Sequence, residues 1–368
     1  MTESSTPHEK LNLLQVYRGI AAVLVVMVHV TVKSAENLNQ VSFLNLFGAG
    51  WSGVDYFFVV SGFIMVYVHR SAIGKKDQVK SFLVKRALRI YPIYWIITLT
   101  VWCLFLVIPA FANNQDLSLG NVIASLLLIP QKDPQFKDKF ILEVGWTLTY
   151  EIYFYLLFSI AIWLKPKHSV PILSGWLLVT ILQYRKIVKF PDELFGLETV
   201  FGEMNLELVL GCLAAYIVIK YNNIGKYRWI LFGIANLGYV ILEMLVAWEK
   251  VGYGRIPTFG VLAALLIIAA TSIDLKDSPK IPYLLIFLGN ASYSIFLTLL
   301  PVISAITKIL QKANLGKYFD GLFAPALLAV FAVVFGCIFY SLIEKPLTVF
   351  LHKNIVEKMF PAKAEGRI

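Results

Sequence analysis

Residues 13–32 read LLQVYRGIAAVLVVMVHVTV, and this stretch decides the fold. It is aliphatic for most of its length, broken by Gln15, Tyr17, Arg18 and His29. As a helix it covers about 30 Å, the thickness of a bilayer's hydrocarbon core. The eleven residues from Arg18 to His29 make three turns plus about 20°, so both side chains fall on one face, roughly 16 Å apart along the axis. An ionisable residue inside a membrane helix is costly and marks a functional site by default. Two on one stripe, one toward each end, point to a ligand that runs between them.

The rest of the chain agrees with a membrane protein. It has 368 residues, 58% of them hydrophobic, and a mean hydropathy of +0.72. Only 15% are charged, against about 25% in soluble domains. Ten spans are predicted, near 13–33, 52–69, 91–111, 145–164, 170–187, 204–220, 227–247, 256–273, 283–305 and 323–343. The apolar piece from Leu117 to Ile129 is too short to cross and reads as a re-entrant or interfacial helix. The expected fold is an all-α polytopic bundle of about ten helices, forming one domain over 1–368 with no separate soluble domain. No internal repeat is evident, which argues against a transporter or flippase. A net charge of +10 suits nucleic acid in other contexts. Here the positive residues lie in loops between hydrophobic segments, where they set topology instead. Segment 70–90 carries Arg70, Lys75, Lys76, Lys80, Lys85, Arg86 and Arg89 against Asp77 alone. The positive-inside rule therefore puts both termini in the cytoplasm. Arg18 inside the apolar run, and the absence of an A-x-A site near Ser34, speak against a cleaved signal peptide. Cys103, Cys212 and Cys337 lie in apolar runs without a CxxC and read as small core hydrophobes, not a disulfide framework.

Several residues have the chemistry of a site. His29 is an acid/base candidate, since a neutral imidazole takes a proton at physiological pH; the plainer reading is a packing histidine. Asp55, in the first turn of the second span, matches His29 in depth to within a turn. It either orients the imidazole, as in a catalytic triad, or satisfies a helix N-terminus. Arg86 and Arg89, three apart before the third span, share a helix face. Together with Arg18 they suit a polyanionic head, because guanidinium forks bind phosphate bidentately; lipid snorkelling is the plainer reading. Glu151 lies just inside the fourth span. Glu344 ends the last, where it suits an ion pair with one of the arginines. Glu207 and Glu243 also lie in spans without an assigned role. No His or Cys spacing supports a metal site, and no nucleotide-binding glycine motif or GxSxG elbow is present.

These residues make the chain resemble the acyltransferase 3 family of membrane proteins along nearly its whole length. The R-x10-H pattern falls on Arg18 and His29, and the GVDYFFVVSGF signature runs from Gly53 to Phe63. The R-x-x-R falls on Arg86 and Arg89, followed by Ile-Tyr-Pro at 90–92. The W-[ST]-L-x-x-E segment runs from Trp146 to Glu151 into the aromatic run at 153–155. Ser-Tyr-Ser is at 292–294, and Glu-Lys-Pro at 344–346. Six weak motifs in order are strong together. The WSGVDYFFVVSGFIM, SLLLIP and VGWTLTYEIYFY stretches are similar to the exopolysaccharide-production subgroup. One departure is Leu299, where the family often has a histidine. No hydrolase-like domain follows the last span, unlike in longer relatives.

The resemblance implies an O-acyltransferase of the bacterial inner membrane that takes an acyl group, usually acetyl from acetyl-CoA, to a carbohydrate hydroxyl at or beyond the outer face. The expected catalytic residues are His29, Asp55 and Glu151. Arg18, Arg86, Arg89 and Glu344 are expected at the donor, and no metal is. The expected partners are acyl-CoA, a polysaccharide or lipid-linked sugar acceptor, the bilayer, and further copies of the chain or polysaccharide-assembly proteins. His29 acts either as general base or through an acyl-histidine.

Overall fold

The computed structural model describes residues 11–40, 46–112, 115–130, 140–191, 194–221, 225–247, 255–319 and 321–361. Residues 1–10 and 362–368, on which the expected cytoplasmic termini partly rest, lie outside them. Among the described residues the regular structure is helical, with no β-strand. Ten helices among the described residues have 17 residues or more: α1 (Asn12–Leu38), α2 (Ser52–His69), α3 (Gln78–Val107), α5 (Gly145–Trp163), α6 (Pro166–Tyr184), α8 (Met204–Lys220), α9 (Arg228–Ala247), α10 (Val261–Asp277), α11 (Tyr283–Lys312) and α12 (Phe323–Phe339). They fall at the ten expected places. Eight segments among the described residues are long and apolar enough to cross a membrane. The helices outside that set, α5 and α6, have 19 residues each but carry polar residues such as Thr149, Glu151, Lys167 and His168. The chain is an all-α multi-pass membrane protein. Its surface agrees: α9 alone exposes Ile230, Ile234, Leu237, Val240 and Met244, side chains that a soluble protein would cover.

Short helices fill the connections. α4 (Leu119–Leu126) is the piece expected between the third and fourth spans. It has 8 residues, about 12 Å, and cannot cross. Ser118 caps it by accepting from the Asn121 N–H. α7 (Phe195–Val200) precedes α8, and α13 (Lys345–Leu351) continues from α12 through a π-helical turn, Tyr340–Glu344. Several helices run past the expected ends, α1 to Leu38 and α11 to Lys312 among them, and one start also departs. The third span begins at Gln78, not 91. Hydropathy excludes residues 78–90 for their lysines and arginines, yet their long aliphatic stems let the helix run on with charged ends at the surface. Arg86 therefore lies within the helix, not at its mouth. Cys103 also differs: it is exposed on α3 instead of packed in a core, while Cys212 and Cys337 are partly covered.

Contacts divide the chain into two compact units. The first comprises residues 1–68, 207–293 and 314–330. Its core packs Leu14 and Ala21 of α1, Tyr56, Val59 and Phe63 of α2, Ala214 and Ala215 of α8, and Leu266, Ile267 and Ala270 of α10. α2 and α8 cross with almost no room between their backbones. A Cβ on Gly62 would sit 1.9 Å from the Leu208 carbonyl oxygen, and one on Gly211 1.9 Å from that of Val59. Such small-residue crossings are how membrane helices gain packing where no hydrophobic force drives them together. Asp274 of α10 caps α1, accepting from the Leu13 N–H at 2.8 Å. The second unit comprises residues 69–206, 294–313 and 331–368. Phe82 of α3 packs against Tyr155 and Phe158 of α5. The buried Lys308 donates to the carbonyls of Ala110 and Phe111 just past the end of α3, at 3.2 and 2.9 Å.

Candidate active site

In the first unit the site is built by one turn of chain. Trp51 precedes α2, and Ser52 and Asp55 lie in its first turn. Each contacts a different neighbour. Trp51 meets the His29 ring edge-on, centroids 4.7 Å apart. Ser52 donates to Glu243 of α9 at 2.5 Å. Asp55 is 0% exposed and accepts from Arg255 Nε at 2.7 Å. A second guanidinium nitrogen of Arg255 lies 2.7 Å from the same carboxylate oxygen. Arg255 immediately precedes a π-helical turn, Ile256–Gly260, that leads into α10. Such turns recur at functional sites.

His29 and Arg18 lie on one unbroken helix, as the spacing predicts. His29 is 5% exposed. Its Nδ1 lies 2.7 Å from the Val25 carbonyl oxygen. A carbonyl only accepts, so Nδ1 is the donor, and in the neutral ring the lone pair is then on Nε2. Of the two readings of Asp55, the orienting one finds no Asp55–His29 hydrogen bond among the described residues: Asp55 is held by Arg255, and His29 Nδ1 by the Val25 carbonyl. The reason is local. The carbonyl one turn back lies within reach of the His29 ring, and Asp55 has the guanidinium of Arg255 beside it. Arg18 Nη1 donates to Gln15 at 3.0 Å and stays partly exposed.

The second unit holds the remaining expected residues, and Arg86, Glu151 and Glu344 fall in two clusters there. Arg86 Nη2 donates to His69 Nε2 at the end of α2. Its guanidinium stands 5.8 Å from the Phe82 ring and 5.6 Å from the Tyr155 ring, within cation–π range. The Tyr155 hydroxyl donates to Glu151, one turn earlier on α5. Glu151 thus joins an Arg86–Tyr155–Glu151 group. Arg89 shares the helix but not these contacts: it is exposed and makes no hydrogen bond or ion pair among the described residues. Glu344 accepts from Ser294 of α11, so the Glu-Lys-Pro and Ser-Tyr-Ser segments meet. Leu299 is fully buried in α11. The described residues hold no cluster of three or more His, Cys, Asp or Glu side chains suited to a metal.

A family model described as an acyltransferase domain, that of acyltransferase 3, matches residues 12–343. The chain belongs to the acyltransferase 3 family. The match runs through both units and ends one residue before Glu344. The exopolysaccharide production protein ExoZ of Rhizobium meliloti is 31% identical over 315 residues, covering 82% of this chain and 90% of that protein. ORF330 of Acidianus two-tailed virus, provisionally named an acetyltransferase, is 25% identical over 284 residues, covering 76% of this chain and 79% of its own. No solved structure matches the chain. Within this family member, sequence reasoning missed Arg255, His69, Tyr155 and Ser294 as partners of motif residues. Only Tyr155 left a signal, its i,i+4 spacing from Glu151.

Proposed function

We propose that the chain moves an acetyl group from cytoplasmic acetyl-CoA to a hydroxyl of an exopolysaccharide, O-antigen or lipid-linked sugar at the outer face. The termini lie in the cytoplasm, where the 70–90 cluster of cations belongs. Arg18, Arg86 and Arg89 each bring a guanidinium suited to a donor phosphate, and Glu344 a carboxylate suited to orient an arginine. The pantetheine arm follows the Arg18–His29 stripe. His29 Nε2 takes the proton of the acceptor hydroxyl, whose oxygen attacks the thioester carbonyl. The carbon–sulfur bond then breaks, and the thiolate leaves with the proton. Asp55, through Arg255, holds the α2 turn that carries Trp51 against the imidazole, and Glu151 positions Arg86 through Tyr155.

One observation carries this reading: a buried histidine on the helix of Arg18, with Nδ1 donating to its own backbone, which leaves Nε2 to face a substrate. The relative named for exopolysaccharide production supports the acceptor class. Inverted membrane vesicles bearing the full chain, given radiolabelled acetyl-CoA and a lumenal polysaccharide acceptor, should place label on the sugar. Label recovered on the protein after acid quench would favour the acyl-histidine route. Acceptor movement without label transfer would instead show a transporter or flippase.

A further inference from the structure

The first unit holds a cavity of about 420 Å³, within the range of small-ligand sites. Neither Arg18 nor His29 lines it. One wall runs along α1 from Tyr17 to Leu24 and another along α9 from Asn236 to Met244. At 1.5 Å per residue these make a slot about 11 Å long. Two pairs of polar groups on its wall bond to each other, and the second carboxylate oxygen of Glu243, Oε2, has no hydrogen-bond partner among the described residues. The Tyr17 hydroxyl donates to Asn236 at 2.7 Å, and Ser52 donates to Glu243 at 2.5 Å. Most of the remaining lining is apolar, from Ile20, Ala21, Leu24, Val240 and Met244. Its rim opens sideways: Ile20 is 45% exposed, Val240 52% and Met244 49%. All three lie on helices long and apolar enough to cross a membrane, where lipid is the solvent that suits exposed aliphatic side chains. At the Ser52 end the slot adjoins Trp51, which contacts His29.

We propose that this slot binds the hydrocarbon chain of a lipid-anchored acceptor, which enters from the bilayer and presents its sugar beside Trp51 and His29. The proposal rests on the acyl-transfer reading of His29 and narrows its acceptor to a substrate carrying an aliphatic anchor. The anchor converts a search for a hydroxyl in three dimensions into one along a groove. It also places the polar head next to the imidazole while the apolar wall rejects a water-borne chain.

The full-length protein in phosphatidylcholine nanodiscs tests this with hexadecyl glucoside bearing a diazirine on its chain. Irradiation should label peptides from Ile20–Leu24 and Val240–Met244, and excess untagged hexadecyl glucoside should compete. Leu24→Trp and Val240→Trp, on opposite walls, should each cut labelling about tenfold by filling the slot. Monodisperse elution checks that each variant folds, and competition on the wild type decides if neither does. Equal labelling by a phosphatidylcholine diazirine would overturn the proposal, as would unchanged labelling in both variants. Specific labelling with no acetyl transfer to any acceptor would sink the reading of His29 and leave the chain site standing. Transfer to a soluble sugar as fast as to the glucoside would do the reverse.

Discussion

Arg86 and Arg89 are three residues apart on α3, yet the structure treats them differently, and the difference is measurable. Arg86 is occupied by His69 and boxed by Phe82 and Tyr155. Arg89 is exposed and makes no hydrogen bond or ion pair among the described residues. If a donor phosphate binds here, Arg89 has its donors available. Arg86 must first give up His69 and its aromatic contacts. One hydrogen bond to a charged group contributes about 1.5–3 kcal/mol. At 1.4 kcal/mol per tenfold, Arg89→Ala should raise the KM for acetyl-CoA roughly 10- to 150-fold with kcat little changed. Arg86→Lys keeps the charge but loses the planar fork that reaches His69 and stacks on Tyr155. Its effect should fall on kcat and thermal stability, because Tyr155 in turn holds Glu151. Initial rates with radiolabelled acetyl-CoA give both constants, and equilibrium binding of coenzyme A confirms that KM tracks affinity. A KM unchanged in Arg89→Ala but raised tenfold in Arg86→Lys would refute the division of roles. No change in either would remove the phosphate contact from α3 altogether.

His29→Ala should lower turnover by about 10²–10⁴-fold, the usual contribution of a general base, with the protein still eluting as a folded species; full activity would remove the assignment. Asp55→Asn or Arg255→Met alone should lower the melting temperature, since breaking a buried pair costs about 3–5 kcal/mol. The double variant should recover part of the loss, and strictly additive losses would count against the pairing. Gly211→Ala should destabilise the protein strongly, because its Cβ would lie 1.9 Å from the Val59 carbonyl oxygen; an unchanged melting temperature would mean that α2 and α8 separate easily. Asp274→Ala should cost about 0.5–2 kcal/mol, the worth of a helix cap, and leave KM alone. A changed KM would give Asp274 a part in binding.

The ten long helices were legible in the sequence because a span's length and hydropathy are local properties. So was the common face of Arg18 and His29, which needs only the helical period. The start of α3 was not. Hydropathy stops at Tyr91, whereas the backbone hydrogen bonds that continue a helix ignore whether its side chains are lysines. The motif residues were also legible one at a time. Their partners were not, because Arg255 reaches Asp55 across 200 positions and Ser294 reaches Glu344 across 50. Arg255 reads in the sequence as one more loop cation.

Asp55 shows what such a partner changes. A carboxylate bonded to His29 would raise the basicity of Nε2 directly. Bonded to Arg255, it acts on position: it ties the first turn of α2 to the start of α10, and that turn carries Trp51 onto His29 and Ser52 onto Glu243. A buried ion pair is weak support for stability when weighed against apolar packing, so its value here lies in fixing one geometry. Three contacts hang on that turn: the Trp51 ring beside His29, the Ser52–Glu243 bond, and the carboxylate's own pair with Arg255. Loss of the pair should therefore disturb the imidazole's surroundings more than its proton affinity. The pH profile of an Asp55→Asn variant should keep its shape while its height falls. A profile displaced along the pH axis would instead return Asp55 to direct contact with the histidine.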